Sequence, residues 1–156
     1  MIFTGEYEHT IDAKQRMAVP AEIRSRLEDA KHTNALYLVP GANGALWLLP
    51  EKTFEQMVNA MQQSLLPTED MMEFEELLFS QASRLEMDKT GRIRLPERML
   101  SEAKLGQTIV ILGVRDHLEL RDPEIWKQRR KHNLATQPEI MIKARRALEE
   151  QQRSTS

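Results

Sequence analysis

A ten-residue pattern occurs twice in this chain, and no other feature restricts its fold as strongly. Ile11-Asp12-Ala13-Lys14-Gln15-Arg16-Met17-Ala18-Val19-Pro20 and Met87-Asp88-Lys89-Thr90-Gly91-Arg92-Ile93-Arg94-Leu95-Pro96 stand 76 residues apart. Both read apolar-Asp-x-x-x-Arg-apolar-x-apolar-Pro. Further on, Leu46-Trp47-Leu48 matches Leu118-Glu119-Leu120, and Phe54 matches Trp126, at an offset of 72. The change in offset is a difference of loop length inside one repeated unit.

Each copy reads as strand, tight turn, strand, short helix, strand, strand. Tyr7 to Ile11 is extended and Asp12 to Gln15 turns. Arg16 to Val19 then alternates with period two, so Met17 and Val19 share a face. Pro20 ends that strand and starts a helix to Leu27. Leu36 to Val39 and Ala45 to Leu49 are strands, joined by Gly41-Ala42-Asn43-Gly44, residues that tolerate positive φ. In the second copy Ile93 and Leu95 alternate, and Pro96 starts a helix to Ala103. Thr108 to Leu112 and His117 to Leu120 are its last strands. A unit of about 45 residues buries too little to stand alone. With no cysteine in the chain, no disulfide can staple it. Two units packed as an internal pseudo-dimer would cover each other's strand edges. The expected class is α+β.

Between the copies, Phe54, Met57, Val58, Met61 and Leu65 keep helical spacing, Pro67-Thr68 breaks it, and Met71, Phe74, Leu77 and Leu78 resume it. A helix is expected from Glu124 past Lys131, interrupted near Pro138. Glu139 to Glu150 reads as a final amphipathic helix with Ile140, Met141, Ala144, Ala147 and Leu148 turned inward. The implied organisation is repeat one over 5–52, a helical connector over 53–80, repeat two over 81–124 and a basic tail over 125–156.

The net charge is −2, which by itself weighs against a nucleic-acid binder. Its distribution changes that reading. Eight bases and three acids put the segment 127–156 at +5, whereas seven acids and one base put 51–80 at −6. The acid belongs mainly to the connector, and the repeat turns keep their arginines.

Asp12 and Asp88 open the turns, where an Asp carboxylate accepts from backbone amides two residues on. They are read as turn-structural. Arg16 and Arg92, four residues later, can return to that carboxylate or contact phosphate and base edges. Lys14, Lys89 and Arg94 add positive charge nearby, as do Arg24, Arg26, Arg84, Arg98 and Lys104. Nothing converges as a catalytic set. The four histidines, His9, His32, His117 and His132, lack ligand spacing, so they read as surface or partly packed, with no metal or cofactor site. Trp47 and Trp126 read as core or interface anchors, and Lys127 to Lys131 as a solvated helix face. No apolar run approaches a membrane span and no signal peptide is evident, so a cytoplasmic protein is expected.

The tandem Asp-x-x-x-Arg hairpins, each followed by apolar-x-apolar-Pro, resemble the MraZ transcriptional regulators. That family belongs to the AbrB-like (SpoVT-AbrB) swapped-hairpin superfamily of DNA-binding proteins. Phe3-Thr4-Gly5-Glu6-Tyr7-Glu8-His9-Thr10-Ile11-Asp12 is similar to the family's start. Ile109-Val110-Ile111-Leu112-Gly113 with Asp116-His117-Leu118-Glu119-Leu120 is similar to its end. The resemblance covers about 3–126. It implies two tandem swapped-hairpin β units and a closed homo-oligomeric ring. It further implies binding to short direct repeats in double-stranded DNA, with repression of the cell-division and cell-wall gene cluster. Carried over, Arg16 and Arg92 are the first candidates for DNA contact; Lys14, Lys89 and Arg94 follow from charge and position. One residue departs from the pattern. The family has Gly before the motif Arg, as at Gly91, and this chain has Gln15. A Gln held at positive φ costs about 1 kcal/mol, so the first turn is where the copies are expected to differ.

Two readings follow. The leading one is an oligomeric, nucleoid-associated, sequence-specific DNA-binding regulator, not an enzyme, with no small-molecule substrate. The other is a protein-interaction module that uses the same fold to hold a protein partner through the acidic connector or the terminal helices.

Overall fold

The structure is a computed structural model and describes residues 1–29, 34–61 and 65–155. His32 lies outside the described residues. The chain divides into two compact units, Met1–Pro123 and Glu124–Ser156.

In the first unit the strands are β1 (Glu6–Thr10), β2 (Arg16–Ala18), β3 (Ala35–Pro40), β4 (Leu46–Pro50), β5 (Ser83–Glu86), β6 (Arg92–Arg94), β7 (Thr108–Val114) and β8 (His117–Arg121). The helices are α1 (Ala21–Asp29), α2 (Glu51–Ala60), α3 (Glu69–Gln81) and α4 (Glu97–Glu102). This is the expected α+β class with swapped hairpins. Six strands form one antiparallel sheet in the order β1-β7-β8-β4-β3-β5, and β2 pairs with β6 in a separate ribbon.

That order is a palindrome once the repeats are exchanged. β1 of the first repeat pairs with β7 of the second, and β5 of the second pairs with β3 of the first. Each edge strand is thus donated to the other copy. β4 and β8 meet at the centre, with Trp47 opposite Glu119. In the ribbon Met17 lies opposite Ile93, residues 76 apart and therefore equivalent in the repeat. The pseudo-twofold axis passes through both pairs. Two further bonds obey it: Val19 N–H donates to the Gly91 carbonyl at 2.9 Å, and Leu95 N–H to the Gln15 carbonyl at 2.8 Å.

The alternation seen in sequence sets the core. Met17, Val19, Ile93 and Leu95 point from the ribbon into one cluster with Leu38, Leu48, Ile109, Ile111, Leu118 and Leu120 of the sheet and Ile23 and Met99 of α1 and α4. Burying each such side chain contributes on the order of 2 kcal/mol, and both repeats supply them, five from the first and seven from the second. Neither repeat could keep this core dry by itself. The other face of the sheet carries a smaller cluster of Val39, Leu49, Phe54 and Leu78, with Tyr37 stacked on Phe54 at 4.3 Å between centroids. Pro20 and Pro96 stand one residue before α1 and α4, so they stop the strands as expected. Asn43 (φ 59°) and Gly44 (φ 74°) supply the left-handed turn between β3 and β4.

Three expectations about packing need correction. α2 ends at Ala60, where Met61 turns extended, so Leu65 is outside any helix and fully exposed. In α3 only Leu78 is buried, and Phe74 and Leu77 are exposed at 49% and 60%. His117 is buried, not partly packed. It stacks on Trp47 at 4.1 Å and meets the Glu119 carboxylate at 3.1 Å, which also accepts from Arg121 at 2.7 Å. Alternation in β8 puts Leu118 and Leu120 on one face and His117, Glu119 and Arg121 on the other. Its polar face is buried as well, with the charges satisfied by one another.

The second unit is α5 (Pro123–Ala135) followed by α6 (Gln137–Thr155). The break falls at Thr136, whose hydroxyl donates to the His132 carbonyl at 2.9 Å. Pro138 sits in the first turn of α6, where its missing N–H costs nothing. No residue of α6 is buried, so Ile140, Met141, Ala144, Ala147 and Leu148 are not turned into a core. Amphipathic spacing identifies a face, and a second surface is required before that face is buried.

Candidate nucleic-acid interface

The two Asp-x-x-x-Arg turns are built alike. In the first, Asp12 Oδ1 accepts from the amides of Lys14 (2.9 Å) and Arg16 (2.8 Å), and Oδ2 from Arg16 Nε (2.8 Å). In the second, Asp88 Oδ1 accepts from the amides of Thr90 (2.9 Å) and Arg92 (3.0 Å), and Oδ2 from Arg92 Nε (3.2 Å). The last turn residue is left-handed in both, with φ 64° at Gln15 and 80° at Gly91. Gln15 therefore does not reshape the first turn. It adopts the glycine conformation, held by Gln15 N–H donating to the Asp12 carbonyl and by its own carbonyl accepting from Leu95.

These bonds all favour ionised carboxylates. Backbone donation from Arg16, then its side chain and the Lys14 amide, holds Asp12 below the usual carboxylate range. Asp88 is lowered to about 2, first by the Arg92 amide and then by the Thr90 hydroxyl, 2.7 Å away. Asp12 and Asp88 each bond two backbone amides of their own turn. Thr90 is a residue the pattern did not single out. A hydroxyl two positions after a turn Asp is the signal that could have found it.

Pairing of β2 with β6 gathers the arginines. Arg16 lies opposite Arg94, and Ala18 opposite Arg92. Since Met17 and Ile93 point into the core, the outward positions of the ribbon are Arg16, Ala18, Arg92 and Arg94. Three of the four are arginine. Arg94 Nε donates to the Lys14 carbonyl at 3.1 Å, tying it to the opposite turn. Lys14 and Lys89 are exposed on the two turns. The five sequence-predicted residues thus share one surface, although they lie up to 80 positions apart. Arg16 and Arg92 give their Nε to Asp12 and Asp88, which fixes the plane of each guanidinium and leaves its outer nitrogens for a further acceptor.

Other bases near the turns have different partners. Arg24 donates to the Val19 carbonyl and lies over Gly91, where a Cβ would come within 2.5 Å of its Cδ. Arg26 donates to the Ile2 carbonyl. Arg84 is held by Glu51 (2.8 Å) and Glu86 (2.9 Å), which raises its affinity for its proton further. Lys127 to Lys131 belong to α5 in the second unit. Among the described residues, no group of three or more His, Asp or Glu is placed to hold a metal ion.

The chain is similar to known proteins over most of its length. The family model described as MraZ protein matches residues 2–74 and 78–148. A protein of Roseiflexus castenholzii named Transcriptional regulator MraZ is 32% identical over 126 residues, covering 81% of this chain and 85% of the relative. Proteins of the same name from Ureaplasma parvum serovar 3 and Carboxydothermus hydrogenoformans are 31% and 32% identical over 125 residues, covering 80% of this chain and 84% of each relative.

Proposed function

The chain belongs to the MraZ family, and from that premise we propose that it is a sequence-specific DNA-binding transcriptional regulator and not an enzyme. The observation that carries this reading is the outward face of the β2–β6 ribbon. A two-stranded ribbon is narrow enough to enter a major groove. This one presents Arg16, Arg92 and Arg94 on its open side, with Lys14 and Lys89 on the flanking turns. Arg16 and Arg92, oriented by Asp12 and Asp88, read bases or phosphates; the lysines and Arg94 neutralise backbone charge.

In this reading the repeats over 5–52 and 81–124 supply the DNA surface, and the connector and tail serve assembly. The protein works in the cytoplasm at the nucleoid. It forms a homo-oligomeric ring that sets several ribbons along short direct repeats, and it represses the cell-division and cell-wall gene cluster. The ring matters physically, because a chain of net charge −2 has a weak overall field and multiplies its contacts only through copies.

The test is a mobility shift on fragments bound in a genome-wide protection experiment. Arg16→Ala combined with Arg92→Ala should remove the shift while circular dichroism and solution mass stay as in the parent. An unchanged affinity would overturn the assignment.

A further inference from the structure

Among the described residues, two helices of opposite charge, α3 and α6, each carry a run of exposed apolar side chains. On α3, Asp70, Glu73, Phe74 and Leu77 follow the spacing of one helical ridge, and all four are exposed. The ridge runs into a groove of about 390 Å³ lined by Leu77, Gln81, Leu46, Met99 and Ala103. There the Gln81 side-chain oxygen is buried and lacks a donor among the described residues. On α6, Ile140, Met141, Ala144, Ala147 and Leu148 form one stripe, also exposed, with Lys143 on one side and Arg145 on the other. Each stripe spans roughly 10–12 Å of helix.

We infer that α6 of one copy docks on the α3 ridge of a second copy. Apolar residues would meet apolar residues, and Lys143 and Arg145 would face Asp70 and Glu73. An unpaired buried acceptor at Gln81 suits a partner helix that carries cationic donors beside its apolar stripe. The occupant is a second copy because the chain itself holds both halves, complementary in charge and matched in length. A contact between two different patches is head-to-tail, so any open series of copies keeps one free α3 at one end and one free α6 at the other, and these are used up only when the series closes. The inference rests on the oligomeric reading above and assigns the surfaces that join its subunits.

Charge exchange in the full chain tests it, with light scattering as the readout. Asp70→Lys/Glu73→Lys and Lys143→Glu/Arg145→Glu should each weaken self-association ~100-fold, because like charges would face each other. The four substitutions in one chain should restore the parent mass. The chain has no cysteine, so Phe74→Cys and Ala144→Cys chains mixed together should also form an inter-chain disulfide under mild oxidation. A parent that is monomeric would overturn the oligomeric reading and this inference with it. A parent oligomer unchanged by either reversal, or not regained in the four-fold variant, would overturn the interface alone. So would a disulfide that forms only when both cysteines are in one chain.

Discussion

Arg16 stands directly opposite Arg94 across the β2–β6 ribbon. Like charges at opposed cross-strand positions destabilise an antiparallel pair. Here the two heads are drawn to different acceptors, Arg16 to the Asp12 carboxylate and Arg94 to the Lys14 carbonyl. The ribbon is therefore built at some cost to itself, and an anion at its outer face would relieve that cost. Arg94→Gln should leave unfolding stability within about 0.5 kcal/mol of the parent and weaken DNA binding about tenfold. Urea unfolding and fluorescence anisotropy on the same preparation check both numbers. A large loss of stability with unchanged DNA affinity would make Arg94 a structural residue only.

Gln15 and Gly91 occupy equivalent left-handed positions, yet only one is glycine. Gln15→Gly should raise stability by up to about 1 kcal/mol, the cost an L side chain carries at that φ, reduced by the glycine's greater freedom when unfolded. Gly91→Ala should lower stability by more than 1 kcal/mol. It adds the same backbone strain and pushes the Arg24 side chain from its place over the turn. Thermal melts of the two variants should move in opposite directions.

The Asp88 carboxyl is depressed, so it contributes stability above its unfolded value of 3.8 and loses that contribution as pH falls through about 2. The turn should keep its geometry from neutral pH down to about 4 and loosen between about 4 and 2. Asp12 shifts in the same direction. Carboxyl chemical shifts followed by NMR should show the Asp88 midpoint near 2, and Thr90→Val should raise it. A midpoint at 3.8 would contradict the bonding described.

Repetition of Asp-x-x-x-Arg placed both turns, both following strands and the residues that point inward, because period-two alternation reports directly on a half-buried strand. The order of the six-stranded sheet was beyond it. Nothing in β1 itself distinguishes β3 from β7 as its neighbour; that choice is made by the shared core, which forms only when the repeats exchange edges. The juxtaposition of Arg16 with Arg94 follows from that exchange and was equally hidden. The burial of His117, Glu119 and Arg121 was hidden too, because their charges satisfy one another only in the folded sheet, a tertiary fact. α6 fails in the opposite sense: its amphipathic stripe is real, and no residue of it is buried.

Salt dependence separates one ribbon from many. Binding that releases counterions loses affinity with a log–log slope of about −0.9 per phosphate neutralised. The five cations of one ribbon, Lys14, Arg16, Lys89, Arg92 and Arg94, can supply a slope no steeper than about −4.5 on that scale. If several ribbons of an assembly engage one operator, the measured slope should be steeper. The Lys143→Glu/Arg145→Glu variant alters α6 and leaves the ribbon residues untouched, so once dissociated it should return to −4.5 or shallower. Anisotropy titrations at four or five salt concentrations give both slopes. Equal slopes for parent and dissociated variant would mean that a single ribbon carries the contact.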